Sequence, residues 1–422
     1  MEFTHFSLDK YPLIKPKILK WANSFSSFMA YDSNSHKDIY SKYDFIIGID
    51  TLDNYIETFD IESFNKWRNN DFVCGAISYE FNHNVFEITV KNDAFINWNS
   101  FYFFKPRYII YIKSGRIYIN RNFPEAIEML EQIYAIESKE IEELPNIAFK
   151  TDTTHIEYIN TVSQIKEKIE EGAFYELNYC IDFRAEEADF DAIQTFIHLN
   201  KLAQTPMAAL VKLGKKWILS FSPERFVAKR GATLIAQPIK GTAKRNADLK
   251  EDERIKNALQ QSEKERAENS MIVDLMRNDL TPFSKTGSIE VKEWCEIYSF
   301  QHVHQMISTI EATIENEQNT LDALKHCIPA GSMTGAPKKN VMKHIESFES
   351  FKRGMYAGNM GYFDTDGDFD WNVVIRSIYY DEKNKKANFS VGSAITIQSD
   401  AEEEYKECLL KAQFILKAFG NE

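Results

Sequence analysis

The chain has 422 residues, enough for one large domain or two ordinary ones, and 44% of them are hydrophobic, so a folded core is expected. The formal net charge of -13 argues against a nucleic-acid partner and against an anionic membrane surface, because both require clustered Lys and Arg. Five cysteines without Cys-x-x-Cys spacing indicate reduced thiols, and the first 31 residues contain no continuous apolar stretch, so we expect a cytoplasmic protein without a membrane span.

Short β-rich runs separated by polar turns characterise residues 1–145. Examples are Phe45–Ile49 and Tyr108–Ile112, and no chemical motif accompanies them. The acidic stretch Glu137–Glu143 is followed by Leu144 and Pro145, which is typical of a boundary. The sequence therefore predicts an N-terminal β-rich region over 1–145 that completes the fold, and a second domain over 146–422.

Strands alternate with long helices in the second part of the chain. Helices are predicted over Thr154–Glu171, Glu251–Asp279, Asn340–Phe348 and Asp400–Phe419. Strands are predicted over Trp217–Phe221, Thr233–Pro238, Asn372–Tyr380 and Lys386–Ser393. Several long helices around many strands predict an α+β architecture.

One lysine lies in a sequence context suited to chemistry. Pro238 fixes the approach to Lys240, Gly241 allows backbone to come close to a ligand, and Thr242 adds a hydroxyl. A lysine stripped of part of its water loses some of its preference for the charged form, and the free amine can attack an electrophilic carbon. The alternative is a solvated lysine at the end of a strand.

Two Glu-x-x-Glu pairs occur in predicted helices. Glu265 and Glu268 form the first pair, and Glu404 and Glu407 form the second. A spacing of three places both carboxylates of a pair on one helix face. If the pairs face each other, all-oxygen ligation suits Mg²⁺ better than Zn²⁺ or Ca²⁺. The alternative is that all four are ordinary surface glutamates.

Three further features are suited to holding an anion. Residues 329–338 form a loop rich in glycine and hydroxyl groups that leads into a helix, and a turn at Gly392–Ala394 is expected to offer backbone N–H groups. Arg376 ends an apolar run, where its guanidinium can bind a carboxylate with two hydrogen bonds. Each feature can equally be a plain turn or a surface ion pair.

Together these segments resemble the chorismate-utilising enzymes, the family of anthranilate synthase component I, aminodeoxychorismate synthase component I, isochorismate synthases and salicylate synthases. The matching stretches follow the family order over about residues 150–422: SPERF (222–226), PIKGT (238–242), ERAENSMIVDLMRND (265–279), PAGSMTGAPK (329–338), RGMYAGNMGYFD (353–364), DWNVVIRS (370–377) and EEEYKECLLKA (402–412). The resemblance implies an anthranilate-synthase-like fold, in which mixed or antiparallel sheets form a sandwich surrounded by helices.

Within the family, the lysine of PIKGT is similar to that of the aminodeoxychorismate type, whereas anthranilate synthases carry alanine there. For that type the resemblance implies conversion of chorismate and ammonia to 4-amino-4-deoxychorismate, on the para-aminobenzoate branch leading to folate. Lys240 would attack ring carbon C2, and Glu224 would donate a proton to the departing C4 hydroxyl. No glutaminase sequence is visible, so a separate glutamine amidotransferase subunit is expected to supply the ammonia.

The resemblance also implies the ligand contacts. Mg²⁺ on one substrate carboxylate would be held by Glu268 and Glu407 directly, and by Glu265 and Glu404 directly or through water. The implied substrate-binding residues are Gly241, Thr242, His304, Thr334, Tyr362, Arg376, Gly392, Ser393 and Ala394.

Two residues depart from the family pattern. Amino-transferring relatives place glutamine at the position of Glu176, and isochorismate or salicylate synthases place a lysine there that activates water. The role of Glu176 is open, with a buried hydrogen-bonding role as the default. Ala394 stands where relatives usually carry glycine. The rival interpretations are an anthranilate synthase component I and a catalytically silent homologue that serves as a scaffold for the amidotransferase.

Overall fold

The computed structural model describes residues 2–36, 38–51, 55–57, 60–139, 141–316 and 320–421. These ranges form ten α-helices and 21 β-strands. The helices are α1 (Ile14–Ala22), α2 (Ile61–Arg68), α3 (Glu125–Tyr134), α4 (His155–Glu170), α5 (Ala192–Ala203), α6 (Leu249–Gln261), α7 (Glu263–Leu280), α8 (Thr320–Cys327), α9 (Lys338–Phe348) and α10 (Ala401–Ala418).

The strands are β1 (Thr4–Ser7), β2 (Ser27–Asp32), β3 (Phe45–Ile49), β4 (Tyr55–Ile56), β5 (Val73–Ile77), β6 (Phe101–Phe104), β7 (Tyr108–Lys113), β8 (Arg116–Ile119), β9 (Glu176–Ala185), β10 (Met207–Leu213), β11 (Lys216–Ser222), β12 (Arg225–Arg230), β13 (Thr233–Ala236), β14 (Ile239–Lys244), β15 (Glu290–Ser299), β16 (Val303–Thr313), β17 (Gly335–Ala336), β18 (Asn359–Phe363), β19 (Phe369–Val373), β20 (Ser377–Asp381) and β21 (Lys386–Ile395).

The strands form two large antiparallel sheets. The first has the order β1-β8-β7-β3-β2-β10-β11-β20-β21-β9-β17. The second has the order β14-β16-β13-β12-β19-β18-β5-β6-β4, with β15 paired to β16. Strands from both sides of residue 145 share each sheet, through the pairs β2–β10 and β5–β18. The boundary at that residue stays a prediction.

Aromatic side chains join the two sheets. The Tyr31 hydroxyl, on β2 of the first sheet, donates a hydrogen bond of 2.7 Å to the carbonyl of Gly361, on β18 of the second. The ring centroids of Tyr31 and Tyr362 lie 5.7 Å apart. The architecture confirms the predicted α+β class, with antiparallel sheets packed as a sandwich and helices around them.

Two predicted elements are each divided in the structure. The helix expected over Glu251–Asp279 is broken at Ser262, which ends α6 and accepts a hydrogen bond from the Glu265 backbone N–H at the start of α7. The strand expected over Asn372–Tyr380 is broken at Arg376, whose φ of 50° cannot continue a strand. Within the described ranges, no helix is both long and apolar enough to cross a membrane.

Candidate active site

Lys240 lies at the centre of the candidate site. It is the second residue of β14, a strand of the second sheet. The residue is only 9% exposed, and its Nζ donates a hydrogen bond of 2.7 Å to Oε1 of Glu176. Glu176 begins β9 of the first sheet and is completely buried. Gly241, with φ of 85°, brings the strand close to α7, where a Cβ would lie 2.9 Å from Glu265 Oε2. The ion pair therefore connects the two sheets.

The charge state of Lys240 differs from the sequence prediction. Burial alone would lower the pKa of the amine, as expected, but the negative charges of Glu176, Glu268 and Glu224 outweigh burial and raise the pKa above 10.5. The expectation of a partly deprotonated amine is therefore wrong for the unliganded protein. The lysine is a buried ammonium held by a carboxylate.

Glu224 supplies a second carboxyl group beside Lys240. It precedes β12, is 4% exposed, and its Oε1 accepts a hydrogen bond of 2.7 Å from the Ser332 hydroxyl. Burial raises its pKa to about 7, against the opposing effects of Ser332, Lys240 and Arg376. A carboxyl group with such a pKa is suited to proton donation near neutral pH.

The two glutamate pairs face each other across one lysine. Lys264 Nζ lies 3.0 Å from Glu404 Oε1 on α10 and 3.9 Å from Glu268 Oε1 on its own helix, α7. Burial raises the pKa of Glu265, and it raises that of Glu268 to about 7. Glu407 is also partly buried, yet its pKa is lowered because Lys411 lies 2.6 Å away.

The donor set suits a divalent cation, although the side chains do not yet form a coordination group. Four carboxylates share two helices, and Glu268 Oε1 is buried without a hydrogen-bond partner among the described residues. Within those same ranges, no three acidic, His or Cys side chains are close enough together to hold a metal ion. Carboxylate oxygens are the ligands that Mg²⁺ prefers, so the chemistry of the pairs fits this ion.

Arg376 lies at the break between β19 and β20, and its guanidinium is available to a ligand. Burial lowers its pKa, and the Glu224 carboxylate opposes that effect, which places the two groups in one electrostatic environment. Among the described residues, its guanidinium makes no hydrogen bond and no ion pair. An arginine in this condition can bind a substrate carboxylate.

Gly392–Ala394 is part of a strand, so the predicted turn is wrong. All three residues lie in β21 and pair with β9, where Ala394 is opposite Asn178. A Cβ on Gly392 would lie 2.4 Å from Cys180 Sγ, which explains the glycine. The described pairing with β20 ends at Asn388, so among the described strands none pairs with the other edge of β21 at Gly392–Ala394.

This strand also contacts the second glutamate pair. The Ser393 hydroxyl donates a hydrogen bond to Glu404 Oε2, and Lys411 Nζ donates one of 2.8 Å to the carbonyl of Gly392. The same lysine pairs with Glu407. The expected carboxylate-binding segment and the expected metal-binding helix are therefore adjacent.

Neither His304 nor Thr242 forms a hydrogen bond or ion pair with the Lys240 side chain in the described structure. The ring nitrogens of His304 are both engaged, with the Ser299 hydroxyl at 2.8 Å and with Asp252 Oδ1 at 3.1 Å. Thr242 is exposed on β14, opposite Gln305 on β16. A substrate role for His304 requires it to exchange one of these partners.

The described contacts of Thr334 and Tyr362 stabilise the fold. The Thr334 hydroxyl donates to the carbonyls of Ala330 and Gly331, 3.1 and 3.2 Å away, and so stabilises its own loop. Tyr362 packs in the sandwich, with its ring 5.6 Å from that of Tyr43. Its implied role in substrate binding has no support from a described contact.

No individual role for Ser332 or Lys264 followed from the sequence, whereas the buried hydrogen-bonding role expected by default for Glu176 is confirmed. Ser332 was noted only as part of its loop, and no local pattern indicates its bond to Glu224, which lies 108 positions away. Lys264 precedes Glu268 by four positions, a spacing that predicts an ion pair on one helix face. Glu176 was noted as a departure, but its contact with Lys240 is a product of the packing of two sheets.

A sequence model of the family described as chorismate binding enzyme matches residues 20–417. A probable chloroplastic aminodeoxychorismate synthase of Oryza sativa subsp. japonica is 39% identical over 268 residues, covering 63% of this chain and 30% of that protein. Aminodeoxychorismate synthase component 1 of Escherichia coli (strain K12) is 35% identical over 269 residues, covering 64% of this chain and 59% of that protein. The chain thus spans less than two thirds of the length of these curated relatives.

The fold is similar to that of a solved anthranilate synthase component I from Streptococcus pneumoniae TIGR4. The TM-score is 0.75, with 98% of this chain and 92% of that chain covered, at 23% sequence identity. This similarity confirms the anthranilate-synthase-like fold that the motifs imply.

Proposed function

The chain belongs to the chorismate binding enzymes, and we propose that it is the subunit of an aminodeoxychorismate synthase that converts chorismate and ammonia to 4-amino-4-deoxychorismate. One observation carries the proposal: a buried lysine amine lies 2.7 Å from one carboxylate and shares its site with a second carboxyl group, whose pKa is about 7. A nucleophile and a proton donor in one enclosed site suit the displacement of a poor leaving group from a ring.

In the proposed mechanism, Lys240 attacks ring carbon C2 while the C4–O bond breaks. Glu224 gives its proton to the departing hydroxyl, which leaves as water, and the Ser332 hydroxyl holds the Glu224 carboxyl in place. Ammonia then adds at C4, the ring double bonds shift back, and the C2–N bond to Lys240 breaks. This last step regenerates the free Lys240 side chain and releases the product.

Chorismate is a dianion, so an acidic protein must bind it through local positive charge. Arg376 and the free edge of Gly392–Ala394 are proposed to bind one carboxylate. Glu268 and Glu407, with Glu265 and Glu404 directly or through water, are proposed to hold Mg²⁺. When bound, Mg²⁺ would offset the charge of the other substrate carboxylate in this acidic region.

The proposed nitrogen source is a separate glutamine amidotransferase subunit, and the proposed location is the cytosol. The five cysteines are buried and free, as reduced thiols would be. With ammonium salts, the chain alone is expected to form the product without the partner.

The rival function is that of an anthranilate synthase component I, which would release pyruvate and fluorescent anthranilate. The lysine of PIKGT argues against it, since the resemblance associates alanine with that activity. The decisive assay incubates the purified chain with chorismate, ammonium and Mg²⁺ and identifies the product by chromatography and mass spectrometry. Direct appearance of anthranilate and pyruvate would exclude the proposed function.

Lys240→Ala tests the nucleophile, and Lys244→Ala is the matched control, because Lys244 is exposed on the same strand. Without ammonia, the wild type and the control are expected to accumulate a covalent adduct on the peptide containing Lys240, and the Lys240→Ala variant is expected to form neither adduct nor product. Equal turnover in wild type and Lys240→Ala would contradict the covalent mechanism. Absence of turnover in both would favour the scaffold.

The proposed binding of Mg²⁺ by the glutamate pairs can be measured directly. Calorimetric titration of the chorismate-free protein with Mg²⁺ is expected to show binding that Glu268→Gln weakens and Glu403→Gln leaves unchanged. Glu403 is a suitable control because it is exposed on α10 and pairs only with Lys406 in the described structure. Unaltered Mg²⁺ affinity in the Glu268→Gln variant would contradict the assigned ligand set.

A further inference from the structure

Glu176 is in direct contact with Lys240, the nucleophile of the proposed mechanism. Glu176 Oε1 accepts the hydrogen bond from Lys240, while its Oε2 is buried without a hydrogen-bond partner among the described residues. The backbone of Glu176 is fixed, because β9 pairs with β17 at this residue and Gly335 permits close approach; a Cβ there would lie 2.0 Å from the Glu176 carbonyl oxygen. A buried carboxylate oxygen without a hydrogen-bond partner is energetically costly, so its retention requires an explanation.

The lysine must lose a proton before it can attack carbon. Its amine is buried, so direct transfer to bulk water is impeded, and the surrounding charges favour the ammonium form. Within the described ranges, Glu176 is the one side chain that forms a hydrogen bond or ion pair with Nζ. The other carboxylates that act on the amine through space are Glu224, Glu268, Glu265 and Glu407. A proton leaving Nζ therefore has one acceptor in contact.

We propose that Glu176 is a catalytic base that accepts the proton of Lys240 as the amine attacks the ring. The inference rests on the proposed function, in which Lys240 is the nucleophile. It adds a proton acceptor that sequence resemblance does not supply, since amino-transferring relatives have glutamine at this position. The distance of 2.7 Å is that of a charge-assisted hydrogen bond, along which a proton can transfer directly.

The cycle balances with Glu176 in this role. Lys240 ammonium gives one proton to the Glu176 carboxylate, and the neutral amine forms the C2–N bond while the C4–O bond breaks. Glu224 protonates the departing hydroxyl, and water leaves. After ammonia has bonded to C4, the C2–N pair of electrons returns to the lysine nitrogen, and Glu176 gives back its proton. Glu224 regains a proton from solvent, so chorismate, ammonia and one proton yield the aminated product and water.

A purely electrostatic role for Glu176 makes the opposite prediction. If the carboxylate only stabilises the ammonium, then Glu176→Gln should lower the pKa of Lys240 and accelerate its attack. If the carboxylate is the base, the same substitution should slow the attack, because the buried amine then loses its proton acceptor. The sign of the rate change therefore separates the two roles.

The test is rapid-quench measurement of adduct formation on Lys240, with chorismate and without ammonia, followed by mass spectrometry. We expect Glu176→Gln to slow adduct formation by at least about 100-fold at neutral pH. The deficit should shrink by about tenfold for each pH unit toward alkaline pH, as hydroxide replaces the missing base. Because Glu224 titrates in both proteins, the ratio of the two rates at each pH is the quantity compared.

Glu176→Asp retains a carboxylate and is expected to recover part of the lost rate. Glu346→Gln is the control for removing a buried carboxylate elsewhere, since Glu346 lies on α9 beside His83, and it should react at the wild-type rate. Thermal unfolding of each variant verifies that it is folded. If Glu176→Gln fails to fold, the Glu176→Asp rate profile decides, and a rate equal to that of the wild type at every pH would overturn the proposal.

The outcomes distinguish this inference from the proposed function. Adduct formation in Glu176→Gln that equals or exceeds that of the wild type, with aminodeoxychorismate still formed, would overturn the role of Glu176 and leave the proposed function standing. A wild-type protein that forms neither adduct nor aminodeoxychorismate would overturn both.

Discussion

Glu224→Gln offers a quantitative test of how the site perturbs its proton donor. Burial raises the pKa of Glu224 from 4.5 to about 7, so the folded protein binds this proton more tightly than the unfolded chain does. The sign follows from linkage: the contribution to stability is present at low pH, where the carboxyl is neutral, and it is lost as pH rises from 4.5 through about 7. At about 1.4 kcal/mol for each pH unit, the ionised group costs the folded state about 3 kcal/mol above pH 7.

The Gln variant removes this cost and keeps the shape of the side chain and its acceptor oxygen for Ser332. We therefore expect Glu224→Gln to be more stable than the wild type by about 3 kcal/mol near pH 8, and by less than about 1 kcal/mol near pH 5. Glu80 and Glu268, whose pKa values are also raised by burial, affect both proteins alike. The difference between the two proteins isolates Glu224.

Urea denaturation at several pH values, without Mg²⁺ and without chorismate, measures the free energy of unfolding. Glu253→Gln removes the same charge from an exposed position on α6 and should follow the wild-type profile. Unfolding free energies of wild type and Glu224→Gln that stay parallel from pH 5 to 8, within about 0.5 kcal/mol, would refute the assigned burial effect.

Two further substitutions test the surroundings of the site. Arg376→Leu should lower kcat/KM for chorismate roughly 10- to 100-fold by removing a charged hydrogen-bond donor, whereas Arg277→Leu, which alters a surface pair with Asp274, should leave steady-state rates unchanged. Gly392→Ala should lower the free energy of unfolding by about 1–3 kcal/mol, because its Cβ would overlap Cys180 Sγ; an unchanged urea midpoint would contradict the packing described for β21 and β9.

Local patterns predicted those elements that are stabilised locally. Helix α4 begins after Thr154, where a capping box with Glu157 satisfies the first backbone N–H groups, and it ends before Gly172. The break at Ser262 could have been predicted in the same way, since a serine followed by Glu265 three positions later is a helix-start pattern. The continuous run of helix-forming residues around it concealed that signal.

The break at Arg376 had no such signal. A left-handed backbone is rare for arginine, so a strand through this residue was the reasonable expectation. The surrounding fold enforces the conformation, and its energetic cost falls on a residue whose guanidinium has no partner within the described ranges, as a ligand-binding role would require. This conformation contradicts local preference because the whole structure, and not the neighbouring residues, determines it.

The protonation state of Lys240 could not be predicted from the sequence. Its sequence context indicated burial, and burial was found, but the partner that decides its protonation lies 64 positions away on another sheet. Composition and spacing identified both glutamate pairs, since helical periodicity is a local property. They could not identify Lys264 as the cation between the pairs, because that requires the relative placement of α7 and α10.

The division of each sheet between early and late strands has a consequence for truncation. Every motif lies between residues 222 and 412, yet β10 takes its hydrogen bonds from β2, and β18 takes them from β5. A fragment starting near residue 146 would lack β2 and β5, so β10 and β18 would become exposed edge strands. Exposed edge strands pair with other chains and promote aggregation. We therefore expect such a fragment to aggregate when it is expressed without residues 1–145.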